Sequence, residues 1–278
     1  QDGSAVAVLF GTHLPPVTET EFKGRIFGYH HSKTAIKFGG IVDSVEKVAG
    51  IIVPYEVVTP PVNIEEITIF DQLTRKLRSE GAKGTGASIL YAFATHINAE
   101  APSLKPDSIV SHLQAFLLLY PWLLEELGID SSRKLTPFIH PFPREYSRLV
   151  LSTDYSPDLN KLCKDYAQYS SVRNRPLDLY PLLSFLKPEL TKEEKTGNVS
   201  PRPTYHYRMP NSEIEKKGWG LLSEWYYWVV IEKLAAHTPL LNTFIELYQE
   251  IHREKLLGAE GAWKNYIRKN KDFKKILS

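Results

Sequence analysis

Three segments of this 278-residue chain set polar residues two apart inside runs that otherwise favour β-strands. They are Glu19 and Glu21 in VTETEF, His96 and Asn98 in FATHINA, and His206 and Arg208 in TYHYRMP. Alternate side chains of a strand share a face, so each pair aims two polar groups the same way. Adjacent carboxylates repel unless a cation or substrate compensates them, so Glu19 and Glu21 suit hard oxygen ligation of Mg2+ or Mn2+. Taken alone, they suit a solvent-facing edge strand better. Glu56 in YEVV is one acid among apolar neighbours, where charge is expensive unless paired or metal-bound. A ligand and a surface acid at a strand end fit it equally. His96 shares its strand face with small residues; by itself, a hydrogen-bonded core histidine is the simpler assignment. Arg208 beside His206 offers the fork that grips phosphate or carboxylate, or else an ordinary cross-strand ion pair. Several such strands in one sheet would build a polar floor, which points to an enzyme.

Other chemistries have no signature. There is no Walker or Rossmann glycine loop, no GxSxG elbow, and no HExxH or HxxxH spacing. The single cysteine, Cys163, excludes a disulfide framework and a cysteine zinc cluster, and fits a reducing, cytoplasmic setting. No apolar run reaches the roughly 20 residues of a membrane helix. Net charge is +2, but six basic residues and one acid fall between Lys264 and Lys275. A basic tail of that kind is more often solvated than bound to nucleic acid.

The elements that must position these residues change character along the chain. The first part reads as short strands at Ala5 to Phe10, Val17 to Phe22 and Ile51 to Thr59, the last stopped by Pro60-Pro61. Asn63 and Glu66 have capping-box spacing before a helix striped by Ile64, Ile67, Phe70, Leu73 and Leu77, which Gly81 ends. A strand over Ala87 to Asn98 follows. Helices are then predicted from Asp107, with a break or kink at Pro121, and from Ser156-Pro157. Beyond a strand over Thr204 to Pro210, Ser212 and Glu215 have capping-box spacing before a helix with Leu222, Trp225 and Val229. Thr238-Pro239 opens the last large helix. Helices that follow the strands, without strict alternation, predict an α+β fold with a mainly antiparallel sheet.

The order TETEF, VDS at Val42 to Ser44, YEVVTPPV, a helix, YAFATHINA, RNRPLDLYPLL and TYHYRMPNSEI resembles the amidoligase family, distant relatives of glutamine synthetase and glutamate–cysteine ligase. The resemblance spans roughly Glu19 to Ala236. It implies a curved, mainly antiparallel sheet with a concave active-site face and helices on the other face. It implies one catalytic domain over 1–260, with 261–278 a basic tail. It also implies ATP- and divalent-metal-dependent amide or peptide bond formation from carboxylate and amine substrates. By the resemblance, Glu19, Glu21, Glu56, His96 and His206 bind Mg2+ or Mn2+. Arg208 and Asn98 hold the nucleotide, and Arg208 and Glu56 are catalytic.

The chain departs from that pattern where the family's arginine strand reads Glu-Phe-Arg, because His206-Tyr207-Arg208 stands there. An imidazole ligates Mn2+ or Zn2+ but removes a negative charge from a magnesium site. Two alternatives follow: a catalytically altered fold kept as a binding or scaffold protein, and a metal-dependent hydrolase or transferase.

Overall fold

The computed structural model describes residues 5–12, 35–38, 55–82, 84, 95–129, 140–170, 174–191, 199–255 and 257–278. The strands are β1 (Ala5–Thr12), β2 (Ala35–Phe38), β3 (Tyr55–Val58), β4 (Val62–Asn63), β5 (Thr95–Glu100), β6 (Leu177–Asp178) and β7 (Thr204–Tyr207). The helices are α1 (Ile69–Ser79), α2 (Pro106–Glu126), α3 (Arg144–Val150), α4 (Leu159–Tyr169), α5 (Tyr180–Leu186), α6 (Pro188–Thr191), α7 (Leu221–Ala236), α8 (Thr238–Glu254), α9 (Ala259–Lys269) and α10 (Lys271–Leu277). The fold is α+β. Its strands form one sheet in the order β2-β3-β1-β5-β7-β6, with β4 also paired to β1. Every described pairing is antiparallel.

The prolines explain the β3–β4 break. Proline has no N–H to give a ladder, so pairing with β1 lapses at Pro60-Pro61 and resumes at Val62. Register then sorts the residues by face, because directly opposed residues share one. Leu177, Tyr207, Ile97 and Val8 form one row; Tyr205, Ala99, Val6 and Val62 form the next on that face. This face is apolar and meets helices. The Tyr205 and Tyr207 rings lie 5.3 and 5.5 Å from Trp228 of α7. From α2, His112 stacks on Tyr205 at 5.0 Å and Phe116 meets Tyr207 edge-on at 6.3 Å. Burial of these rings supplies much of the core's stabilisation.

Local chemistry moves several expected boundaries. Asn63 makes no side-chain cap; a 3-10 turn over Ile64–Glu66 precedes α1 instead of a capping box. The other end of α1 follows expectation. Gly81, at φ 82°, sends its N–H to the Arg78 carbonyl and Ala82 sends its N–H to Leu77, the paired bonds of a glycine C-terminus. Helix α2 starts at Pro106, one residue before Asp107, and continues through Pro121 to Glu126. Near that proline the Leu118 carbonyl accepts a 2.8 Å bond from the buried indole of Trp263. Helix α4 is capped by Asp158, whose carboxylate accepts from the Lys161 N–H.

Ser212 and Glu215 do not cap a helix; α7 starts at Leu221 behind Gly220. Glu215 instead accepts the Gly84 N–H at 2.7 Å, and Arg78 bonds the carbonyls of Ile214 and Trp219. The segment after β7 is thereby tied to α1. Residues 261–269 and 271–277 lie in helices α9 and α10. Trp263, Ile267 and Phe273 are fully buried there while lysines take the outer side.

Candidate functional site

The face of the sheet opposite the aromatic rings carries a polar cluster. One row across it runs Asp178, His206, Asn98 and Ala7. Two residues along, His96 stands opposite Leu9, which is opposite Val58. A further step brings Gly11, Glu56 and Lys37 into line. The chain beyond Tyr207 stays beside β5, where Thr95 donates to the Pro210 carbonyl at 3.2 Å, one residue out of the β5–β7 register. Arg208, two residues beyond His206, bonds Asp178 and so lies on the same face. Period-two alternation thus gathers His96, Asn98, His206, Arg208 and Asp178 on one side of three neighbouring strands.

Their contacts are specific. The Nδ1 of His206 lies 2.5 Å from Oδ1 of Asn98, and both residues are buried. An amide oxygen only accepts, so His206 donates from Nδ1, which in a neutral imidazole leaves the ring's lone pair on Nε2. The His96 ring packs edge-on against His206 with centroids 5.0 Å apart. Arg208 Nη2 lies 3.1 Å from Oδ2 of Asp178; the carboxylate side chain is 0% exposed and the arginine side chain 14%. Oδ1 of Asp178 accepts the Tyr180 N–H at 3.0 Å. A buried carboxylate needs such partners, and here it has a guanidinium and a backbone donor.

Aromatic packing holds Asp178 where it is. The next residue, Leu179, donates its N–H to the Tyr166 hydroxyl, and Tyr180 donates its own hydroxyl to the Ser170 carbonyl. Tyr166 and Tyr180 meet edge-on at 5.1 Å. Upstream, Arg175 binds the carbonyls of Pro141 and Tyr169, closing the loop that leads into β6. Asp178 is the residue that strand-doublet reasoning misses. It stands alone in RNRPLDLYPLL, and a two-residue strand shows no periodicity. The available signal was an acid between leucines.

Glu19 and Glu21 lie outside the described residues. Glu56 is placed by the backbone of β3, in the row described above. Among the described residues no group of three His, Cys, Asp or Glu could hold a metal ion. Burial pushes the Cys163 thiol up to about 11, which makes it a poor nucleophile near neutral pH. No described helix is long and apolar enough to cross a membrane.

An α+β fold with an antiparallel sheet, apolar on one face and carrying a histidine–amide–ion-pair cluster on the other, is the class these features define. A family model described as "Putative amidoligase enzyme" matches residues 23–230, and the chain belongs to that family. The matched stretch contains Glu56, His96, Asn98, His206 and Arg208, and Asp178 as well; Glu19 and Glu21 precede it. No curated protein and no solved structure matches the chain.

Proposed function

We propose that the chain is an ATP- and divalent-metal-dependent carboxylate–amine ligase that forms an amide or peptide bond through an acyl phosphate. The observation that carries this reading is the polar row Asp178–His206–Asn98, flanked by Arg208 and His96, in a member of the amidoligase family. In this reading the polar face is the concave floor of a curved sheet, and a cytoplasmic setting supplies ATP. A substrate carboxylate oxygen attacks the γ-phosphorus, ADP leaves, and an amine then displaces phosphate from the acyl carbon. Arg208 grips phosphate oxygens with its fork, and Asn98 contributes to nucleotide binding. Asp178 holds the arginine in orientation from its buried position. Glu56 takes part in catalysis from the same face.

The donor set suits a divalent metal only when the glutamates join it. His206 would ligate through Nε2 while Nδ1 donates to Asn98, the arrangement in which metal-bound histidines are usually held. Glu19, Glu21, Glu56 and His96 complete the proposed set. When bound, the metal neutralises phosphate charge and orients the phosphates.

The second reading is a fold retained for binding, without ligation. Its support is His206, an imidazole where the family has an acid, next to an arginine already paired with Asp178. One experiment separates the two. Thermal shift with ATP and Mg2+ or Mn2+ is followed by ADP release in the presence of candidate carboxylates and amines. Ligation predicts nucleotide stabilisation that requires the metal, and ADP release that requires both substrates. Nucleotide or metal binding without turnover favours the binding protein. ADP release without an amine favours a hydrolase.

A further inference from the structure

A second feature lies away from the polar face of the sheet, against α2. Leu117 and Pro121 of α2, Phe142, and Tyr248 of α8 line a cavity of about 600 Å3, a size that accommodates a small organic molecule. Its charged lining is one-sided. Arg144 and Arg148 project from successive turns of α3, and Lys255 follows the end of α8; Glu260 is the one lining carboxylate among the described residues. Neither Arg144 nor Arg148 forms a salt bridge with a described residue. These charges converge on one aromatic ring: burial and then Glu260 push the Tyr248 hydroxyl up, while Arg148 and Arg144 pull it down. Tyr248 itself is braced by stacking on His252 at 3.8 Å. None of the lining residues belongs to the sheet.

We propose that this cavity is a second ligand site, which takes a small organic anion whose apolar body packs on Leu117, Pro121, Phe142 and Tyr248 and whose carboxylate or phosphate head is held by Arg144 and Arg148. Two arginines on one helical face grip an anion jointly, and a ring wall excludes water from the body of the ligand. The site is independent of the ligase reading.

Gly261 gives a direct way to close it. It lines the cavity, and a Cβ built there meets nothing within 4 Å, so a larger side chain has room at the cavity's edge. Calorimetric titration uses octanoate and phenyl phosphate as the carboxylate and phosphate probes, with octanamide and phenol as neutral controls. The expected result is saturable binding of one anion or both, at least about 10-fold tighter than the matching neutral control. The order of the two anions identifies the head group. Gly261→Leu and the double variant Arg144→Gln/Arg148→Gln should each weaken that binding at least about 10-fold while the melting temperature falls no more than about 2 °C. Equal affinity in the variants, equal affinity for the neutral controls, or no saturable binding of either anion at millimolar concentration overturns the proposal. The double variant removes charge and Gly261→Leu removes space, so failure of one to fold leaves the other to decide.

Discussion

The Asp178–Arg208 pair joins the core to the candidate site, and its energetics are asymmetric. Changing Arg208 to Gln leaves a carboxylate with 0% side-chain exposure and the Tyr180 N–H still bonded to it. Removing one member of a buried pair costs about 3–5 kcal/mol, and the retained backbone bond puts this case near ~3. Asp178→Asn keeps an oxygen for Tyr180 and leaves a guanidinium that is 14% exposed and can turn towards water, so ~2 kcal/mol is expected. In the double variant neither charge remains to be compensated. Its cost should be ~3 kcal/mol, well short of the ~5 that addition gives, for a coupling of about 2 kcal/mol. Urea unfolding of all four proteins measures it. With a slope of about 3 kcal/mol per molar, Arg208→Gln lowers the midpoint by about 1 M. Additivity within about 0.5 kcal/mol would show that the two groups do not depend on one another, and the reasoning would fail.

Two further predictions use the same row and the helix beneath it. His112 is buried in α2 and stacked on Tyr205, and burial lowers its pKa despite the Ser108 carbonyl bonded to its Nδ1. The native state therefore takes up the proton less readily than the unfolded chain. The cost is absent above the ordinary value of 6.5 and grows as pH falls from there to the lowered native value, by at most ~1.4 kcal/mol per pH unit. His112→Gln keeps a donor for Ser108, so the wild-type minus variant stability difference should decline between pH 7 and 5; a flat difference refutes it. His206→Glu places a buried carboxylate directly opposite the buried Asp178, so the variant should lose ~3 kcal/mol or more in chelator. If position 206 is in a metal shell, Mg2+ should restore that stability in the variant and do less for the native chain. Equal Mg2+ response in both would remove 206 from the shell.

Strand alternation was legible because it is a strict rule of the backbone. The doublets His96 with Asn98 and His206 with Arg208 fall on one face, as their spacing requires. Helix α7 shows the opposite case. Apolar residues occupy nearly every turn position, so no stripe identifies its inner side. The expected Leu222, Trp225 and Val229 are at least partly exposed, while Leu221, Trp228 and Ile231 are buried. The C-terminal helices were hidden by lysines, whose charge dominates composition even though Trp263 and Phe273 anchor the segment in the core. Asn63 and Ser212 carry real capping chemistry, but the structure spends those positions on other connections. Local propensity is a weak prior when tertiary bonds such as Arg78 to Trp219 compete with it.

The polar row also constrains how the candidate site can work. Asp178, His206 and Asn98 stand side by side on consecutive strands, and both His206 and Asp178 are nearly inaccessible. Neither can swing far without breaking a bond to Asn98, Arg208 or Tyr180. The more exposed groups in this part of the site are His96 and Arg208. A rigid inner row with more accessible groups at its edge is what preorganised electrostatic catalysis requires, since fixed donors need not reorganise as charge develops. In the proposed reaction, the buried carboxylate acts through the arginine and not on the substrate. Its replacement should lower nucleotide affinity and turnover together with stability, whereas replacement of a proposed metal ligand outside the buried row, such as His96, should abolish metal response with a smaller change of the urea midpoint in chelator.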